Sequence, residues 1–108
     1  MDDPTLVHQR RDDYQIVDVR EPYEWNAGHI AEAEHVPLAN LMAGQGIDRL
    51  QKDRPVVVVC RTGNRSELGS VMLRARGYDA HNLEGGMERW AAAGLPFEAS
   101  DGGPGTVA

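Results

Sequence analysis

Val56 to Val59 are apolar at four successive positions, whereas most of the chain alternates apolar and polar residues within a few steps. A run without alternation is the pattern of a strand covered on both faces, so this segment is predicted as a central strand of a parallel sheet. Gln15 to Val19 is rich in β-branched residues and predicts a second strand, ending at the charged turn Arg20-Glu21. Pro22 suits the first turn of a short helix over Tyr23 to Ala27, with Gly28 as its stop. A strand stub near His35-Val36 follows. Asn40 is then the predicted N-cap of a helix in which Leu41, Met42, Ile47 and Leu50 recur at near-helical spacing. Beyond the valines, Leu68, Val71, Met72 and Ala75 predict the inward face of a helix that Gly77 ends. A strand over Ala80 to Leu83, a helix over Met87 to Ala92 and a stop at Gly94 and Pro96 complete the pattern. Strands alternating with helices around one fully apolar strand predict an α/β layer fold with a parallel sheet. Residues 1–98 are read as one domain, and residues 99–108, small, glycine-rich and aperiodic, as a flexible tail.

Length and composition narrow the function. A chain of 108 residues suits one core, and 41% hydrophobic with 26% charged residues is ordinary for a globular domain. The net charge of -6 argues against nucleic acid or an anionic membrane as partner, since either favours a basic face. The N-terminus carries no basic and apolar leader pattern, and no apolar run is long enough to span a bilayer, so a cytoplasmic protein is expected. The only cysteine, Cys60, forbids an internal disulfide and a multi-thiolate zinc site.

That cysteine stands where the valine strand ends and a polar turn begins: Cys60-Arg61-Thr62-Gly63-Asn64-Arg65-Ser66. In open α/β sheets ligands bind beyond the carboxyl ends of the strands. A thiol near its ordinary pKa of about 8.5 is mostly protonated at neutral pH, yet the thiolate is the nucleophile. The Arg61 and Arg65 guanidiniums, the amides of a turn containing Gly63 and the start of the next helix all favour the anion. Converging amides with arginines also make a cradle for an anionic substrate. A free cysteine is by default a small buried hydrophobe. Flanking guanidiniums reverse that default, because an apolar site is not lined with them.

Three blocks in order extend the reading. Asp18-Val19-Arg20-Glu21-Pro22-Tyr23-Glu24-Trp25 with Gly28-His29-Ile30, then the Cys60 to Ser66 turn, then Gly77-Tyr78 with Asn82-Leu83-Glu84-Gly85-Gly86-Met87 and Trp90, resemble the rhodanese family of sulfurtransferases over Gln15 to Pro96. The resemblance implies a parallel sheet of about five strands flanked by helices on both faces. It implies that Cys60 accepts a sulfane sulfur from thiosulfate as a persulfide and passes it to cyanide in the assay or to a thiol, small or protein-borne, in the cell. The amides of Arg61, Thr62, Gly63, Asn64, Arg65 and Ser66 would hold the persulfide, and Arg61 and Arg65 would attract the donor's sulfonate. No metal or organic cofactor is then needed, because the transferred atom rides on the protein. The chain departs from the family's pattern in two places. Only residues 1–14 precede the strand that leads into the first block, which cuts short the usual opening strand and leaves a helix near Thr5 to Arg11. Thr62 stands where some thiosulfate-using members carry lysine, implying that thiosulfate is a modest substrate.

Two rival readings remain open at this point. A cysteine phosphatase or arsenate reductase of the related cell-cycle type resembles a cysteine and arginine separated by five residues, whereas four intervene between Cys60 and Arg65. A catalytically idle binding module typically lacks the cysteine. Asp18, Arg20, Glu24 and His29 are read as a structural tie between strand end and short helix, since buried charges must be paired. His8, His35 and His81 lack metal-ligand spacing. Trp25 and Trp90 are read as packing, and Glu32 and Glu34 as a solvated face.

Overall fold

The computed structural model describes residues 2–108. Four parallel strands form one sheet in the order β2-β1-β3-β4, where β1 is Gln15–Asp18, β2 Glu34–His35, β3 Val56–Val59 and β4 Ala80–Asn82. The helices are α1 (Pro4–Gln9), α2 (Pro22–Ala27), α3 (Leu38–Met42), α4 (Asn64–Ala75) and α5 (Gly86–Ala92). The valine run is central as expected: all four side chains are buried. Successive strand residues point to opposite faces, so Val56 and Val58 join one core with Leu41 of α3 and Leu73 of α4. Val57 and Val59 join the other, with Val7 of α1 and Met87 and Trp90 of α5.

Among the described residues the expected fifth strand is represented by a single parallel bridge between Asp2 and Leu83. Asp2 N–H donates to the Asn82 carbonyl at 2.9 Å, and Glu84 N–H donates to the Asp2 carbonyl at 2.8 Å. Pro4 follows at once and opens α1, capped by the Asp3 carboxylate on the amides of Thr5 and Leu6, so extended pairing has no room to continue.

Two helices differ from the sequence reading. Asn40 is not an N-cap but lies inside α3, which begins at Leu38 after Pro37. The expected continuation to Leu50 breaks because Gly44 and Gly46 adopt φ of 83° and 79°, leaving only a short 3-10 turn at Ile47–Arg49. In α4 the helix is present but its inward face differs in part: Met72 packs against the first core as expected, whereas Leu68 and Val71 are half exposed and Ala75 is exposed, and Ser66, Gly69, Ser70 and Leu73 are buried. Small residues face the sheet because the helix lies close on it; a Cβ at Gly69 would sit 3.2 Å from Leu41 Cδ2 and 3.3 Å from Val58 Cγ1. The stop at Gly77 is a Schellman motif, with Tyr78 N–H donating to the Leu73 carbonyl and Gly77 N–H to that of Arg74, both at 3.0 Å.

The last segment, expected as a flexible tail, runs back across the end of α2. Ser100 N–H donates to the Asn26 carbonyl at 3.0 Å, Thr106 N–H to the Ala27 carbonyl at 2.9 Å, and Val107 packs against the second core. Among the described residues no helix is long and apolar enough to cross a membrane.

Candidate functional site

Cys60 follows β3 directly, at the carboxyl edge of the sheet. Its side chain is buried at the edge of the first core, and its sulfur meets polar groups of the turn. Gly63 N–H donates to Sγ at 3.0 Å, and the Ser66 hydroxyl lies 3.2 Å away. The chain reaches this geometry because Gly63 takes φ of 110°, a left-handed conformation that glycine adopts without penalty, immediately before α4 begins. The first turn of α4 then brings the Ser66 hydroxyl and amide under the sulfur.

The turn's carbonyls are drawn the other way, by α5. Met87 N–H donates to the Cys60 carbonyl at 2.9 Å and Glu88 N–H to the Arg61 carbonyl at 3.0 Å, using amides that a helix start leaves unpaired. Gly86, at φ of 59°, is what permits this approach, since a Cβ there would collide with both carbonyls. The Gly85-Gly86 pair of the third sequence block thus shapes the cysteine turn from a distance of more than twenty residues.

Burial pushes the Cys60 thiol up, but the Ser66 hydroxyl and the amides of Ser66, Gly63 and Thr62 pull harder, leaving it below its ordinary value. The guanidiniums contribute less directly than the sequence suggests, because both are engaged with carboxylates. Arg61 Nε donates to Glu88 at 2.9 Å in an exposed pair. Arg65 grips the buried Glu24 with both terminal nitrogens, at 2.7 and 2.8 Å. This fork holds the Glu24 carboxyl below the usual carboxylate range, through the hydrogen bonds first and against burial, and raises Arg65 in turn. Arg61, Thr62 and Asn64 are exposed at the rim, Arg65 is half-buried, and Gly63 and Ser66 lie beneath with the sulfur.

The charged set around α2 resolves into two separate ties. Asp18 pairs with Arg20 in full burial, and Glu24 reaches across to Arg65, which links α2 to the cysteine turn. His29 instead donates from Nδ1 to the Trp25 carbonyl at 2.8 Å, and the Trp25 ring stacks with those of both His29 and His35. His8 meets Trp90 edge-on, and His81 lies between Asp2 and Asp79. Trp90 is buried, with Nε1 donating to the Pro96 carbonyl.

One residue of the site was noted in the sequence only as part of the third block, with no role at the cysteine. Asn82, on β4 and buried, donates from Nδ2 to the Gly63 carbonyl at 2.9 Å and accepts the Ser66 hydroxyl at Oδ1. The available signal was a carboxamide within a strand otherwise read as core.

Residues 3–93 match the family model of the rhodanese-like domain. The thiosulfate sulfurtransferase GlpE of Pseudomonas aeruginosa is 34% identical over 101 residues, which cover 92% of this chain and 89% of GlpE. The probable adenylyltransferase/sulfurtransferase MoeZ of Mycobacterium tuberculosis is 38% identical over 77 residues, 70% of this chain but only 20% of MoeZ, so this chain matches a small part of that longer protein. Among solved structures, a rhodanese-related protein of Thermoplasma volcanium superposes with a TM-score of 0.82 at 29% identity, covering 89% of this chain and 94% of its own. With the fold, the cysteine turn and the flanking blocks in agreement, the chain belongs to the rhodanese family.

Proposed function

We propose that the protein is a sulfurtransferase that carries a sulfane sulfur on Cys60. The observation that supports this best is the sulfur's position at the end of β3, facing a turn whose Gly63 amide donates to it and whose donors lower the thiol. GlpE, similar over nearly the whole chain, bears the name of thiosulfate sulfurtransferase.

The Cys60 thiolate attacks the outer sulfur of thiosulfate. A new S–S bond forms, the S–S bond to the sulfonate sulfur breaks, and sulfite leaves with its electron pair. The product is an anionic Cys60 persulfide whose charge sits on the terminal atom, where the amides of Arg61 to Ser66 stabilise it. In the second half-reaction cyanide, or a thiolate in the cell, takes the terminal sulfur and the Cys60 thiolate is restored. No proton has to be removed from the donor, which suits a turn without a histidine or carboxylate of its own. The donor is a small sulfur anion and the acceptor a small or protein-borne thiol; a free carrier thiol suits a reducing compartment such as the cytoplasm.

Arg61 is suited to receive the donor's sulfonate. Its pairing with Glu88 is exposed, and such pairs are worth only about 0–1 kcal/mol, so the guanidinium is released at little cost. Arg65 is committed to buried Glu24 and serves mainly to fix the turn. Arg61→Ala should raise the KM for thiosulfate by roughly threefold to tenfold with a smaller effect on kcat, as expected when substrate-binding charge is lost. An unchanged KM removes Arg61 from the donor site.

The reading is tested by measuring thiosulfate:cyanide turnover beside hydrolysis of an aryl phosphate by the same preparation. Sulfur transfer should dominate. Faster phosphate release would favour a phosphatase, and inactivity with every sulfane donor would favour a binding module.

A further inference from the structure

We propose that Asn82 is a positioning residue: by holding the single proton of the Ser66 hydroxyl, it decides whether the Cys60 sulfur meets a hydrogen-bond acceptor or a donor. The proposal rests on the reading of Cys60 as a working thiolate and deepens it. Asn82 Nδ2 donates to the Gly63 carbonyl at 2.9 Å, which fixes the carboxamide's orientation and turns Oδ1 toward Ser66. A carboxamide oxygen only accepts, so the hydrogen bond between Ser66 Oγ and Asn82 Oδ1 requires the hydroxyl proton to lie between them. A hydroxyl has one proton. With it given to Asn82, Ser66 Oγ presents only lone pairs to Sγ at 3.2 Å, and the chain runs S–H to Oγ, then O–H to Oδ1. That arrangement is matched to the neutral thiol.

The thiolate needs the opposite arrangement. When Cys60 releases its proton to solvent, Ser66 keeps its own proton but rotates it from Asn82 to Sγ, and the buried Asn82 Oδ1 loses its donor. When the persulfide forms, the charge moves outward to the terminal sulfur and the Ser66 proton can return to Asn82. Ser66 and Asn82 therefore pull on the ionisation of Cys60 in opposite directions, although they are hydrogen-bonded neighbours. All three side chains are buried, so water does not readily substitute for the missing partner. The nearby charges are already compensated: Arg65 of α4 by Glu24 of α2, Arg61 by Glu88 of α5, and Arg20 by Asp18 at the end of β1. The exposed Tyr23 phenol is the remaining titratable group beside Arg65.

The experiment is a double-mutant cycle, read as the pH dependence of iodoacetamide alkylation of Cys60 in the full chain, which needs no sulfur donor. Ser66→Ala should raise the half-ionisation pH, because a donor to the anion is lost. Asn82→Ala should lower it by about half to one pH unit, the size expected for one competing hydrogen bond. In the Ser66→Ala background, Asn82→Ala should move it by less than about a third of that, because no hydroxyl proton remains to contest. An Asn82→Ala shift of equal size in both backgrounds would mean that Asn82 acts through the Gly63 carbonyl alone, and an upward shift would mean that it supports the anion; either overturns the proposal. Asn82→Ser, which also removes the carboxamide oxygen, carries the same comparison if the alanine variant does not fold. A protein that transfers no sulfur fails the thiosulfate assay while leaving this cycle readable.

Discussion

Cys60→Ser is expected to lose at least about a thousandfold in the rate of thiocyanate formation from thiosulfate and cyanide, with the fold intact. The substitution keeps the size of the side chain and its ability to accept from Gly63 N–H, so the turn has no reason to rearrange. What it removes is the nucleophile. A serine hydroxyl is essentially un-ionised near neutral pH and forms no S–S bond, so the intermediate cannot exist. None of the neighbours can replace it: Ser66 is another hydroxyl, and Arg61, Thr62, Asn64 and Arg65 offer no sulfur. Retention of more than about a tenth of the rate would show that transfer proceeds without a covalent carrier.

Asp18→Ala should produce the largest loss of stability among side chains bordering the site. Arg20 is fully buried and Asp18 nearly so. Nε of Arg20 contacts both carboxylate oxygens at 3.0 and 3.1 Å, and Nη2 reaches Oδ2 at 2.8 Å and the Gly28 carbonyl at 2.7 Å. Removing the carboxylate strands a guanidinium in the interior, at a cost of about 3–5 kcal/mol. Against a total stability of about 5–15 kcal/mol this is a large fraction, and it corresponds to a fall in Tm of roughly 15 °C or more for a chain of this size. Replacing both partners by apolar residues, Asp18→Leu with Arg20→Met, should recover much of the loss, because the cost lies in the orphaned charge rather than in the missing attraction. Thermal melts followed by circular dichroism measure both. A single variant within a few degrees of the wild type would mean that Arg20 finds another partner or reaches water.

The contrast between these sites explains what was legible in the sequence. The central strand and its cysteine were, because four successive valines have one reasonable environment and the polar turn after them has another. The two ties at α2 were legible only as a charged set. Which carboxylate meets which guanidinium depends on α2 folding over the cysteine turn, where Arg65, read as a donor-binding group, is paired with Glu24. The inward face of α4 was hidden because Ser66, Gly69 and Ser70 are buried by close approach to β3 rather than by hydrophobicity, while the larger Leu68 and Val71 were left at the surface. Asn82 was hidden for a related reason. Its role depends on the register that sets it beside Val58 and hence under the turn, a relation between strands far apart in the chain. The bridge at Asp2 was not legible either, because it depends on the Pro4 helix start being seen in place.

Whether Cys60 carries the transferred atom is decided by intact-protein mass spectrometry after brief treatment with thiosulfate and removal of the excess. The wild type should gain the mass of one sulfur, cyanide should remove it, and Cys60→Ser should gain nothing. A wild type that stays at its original mass while still producing thiocyanate, or a Cys60→Ser variant that gains the sulfur, would mean that Cys60 is not the carrier.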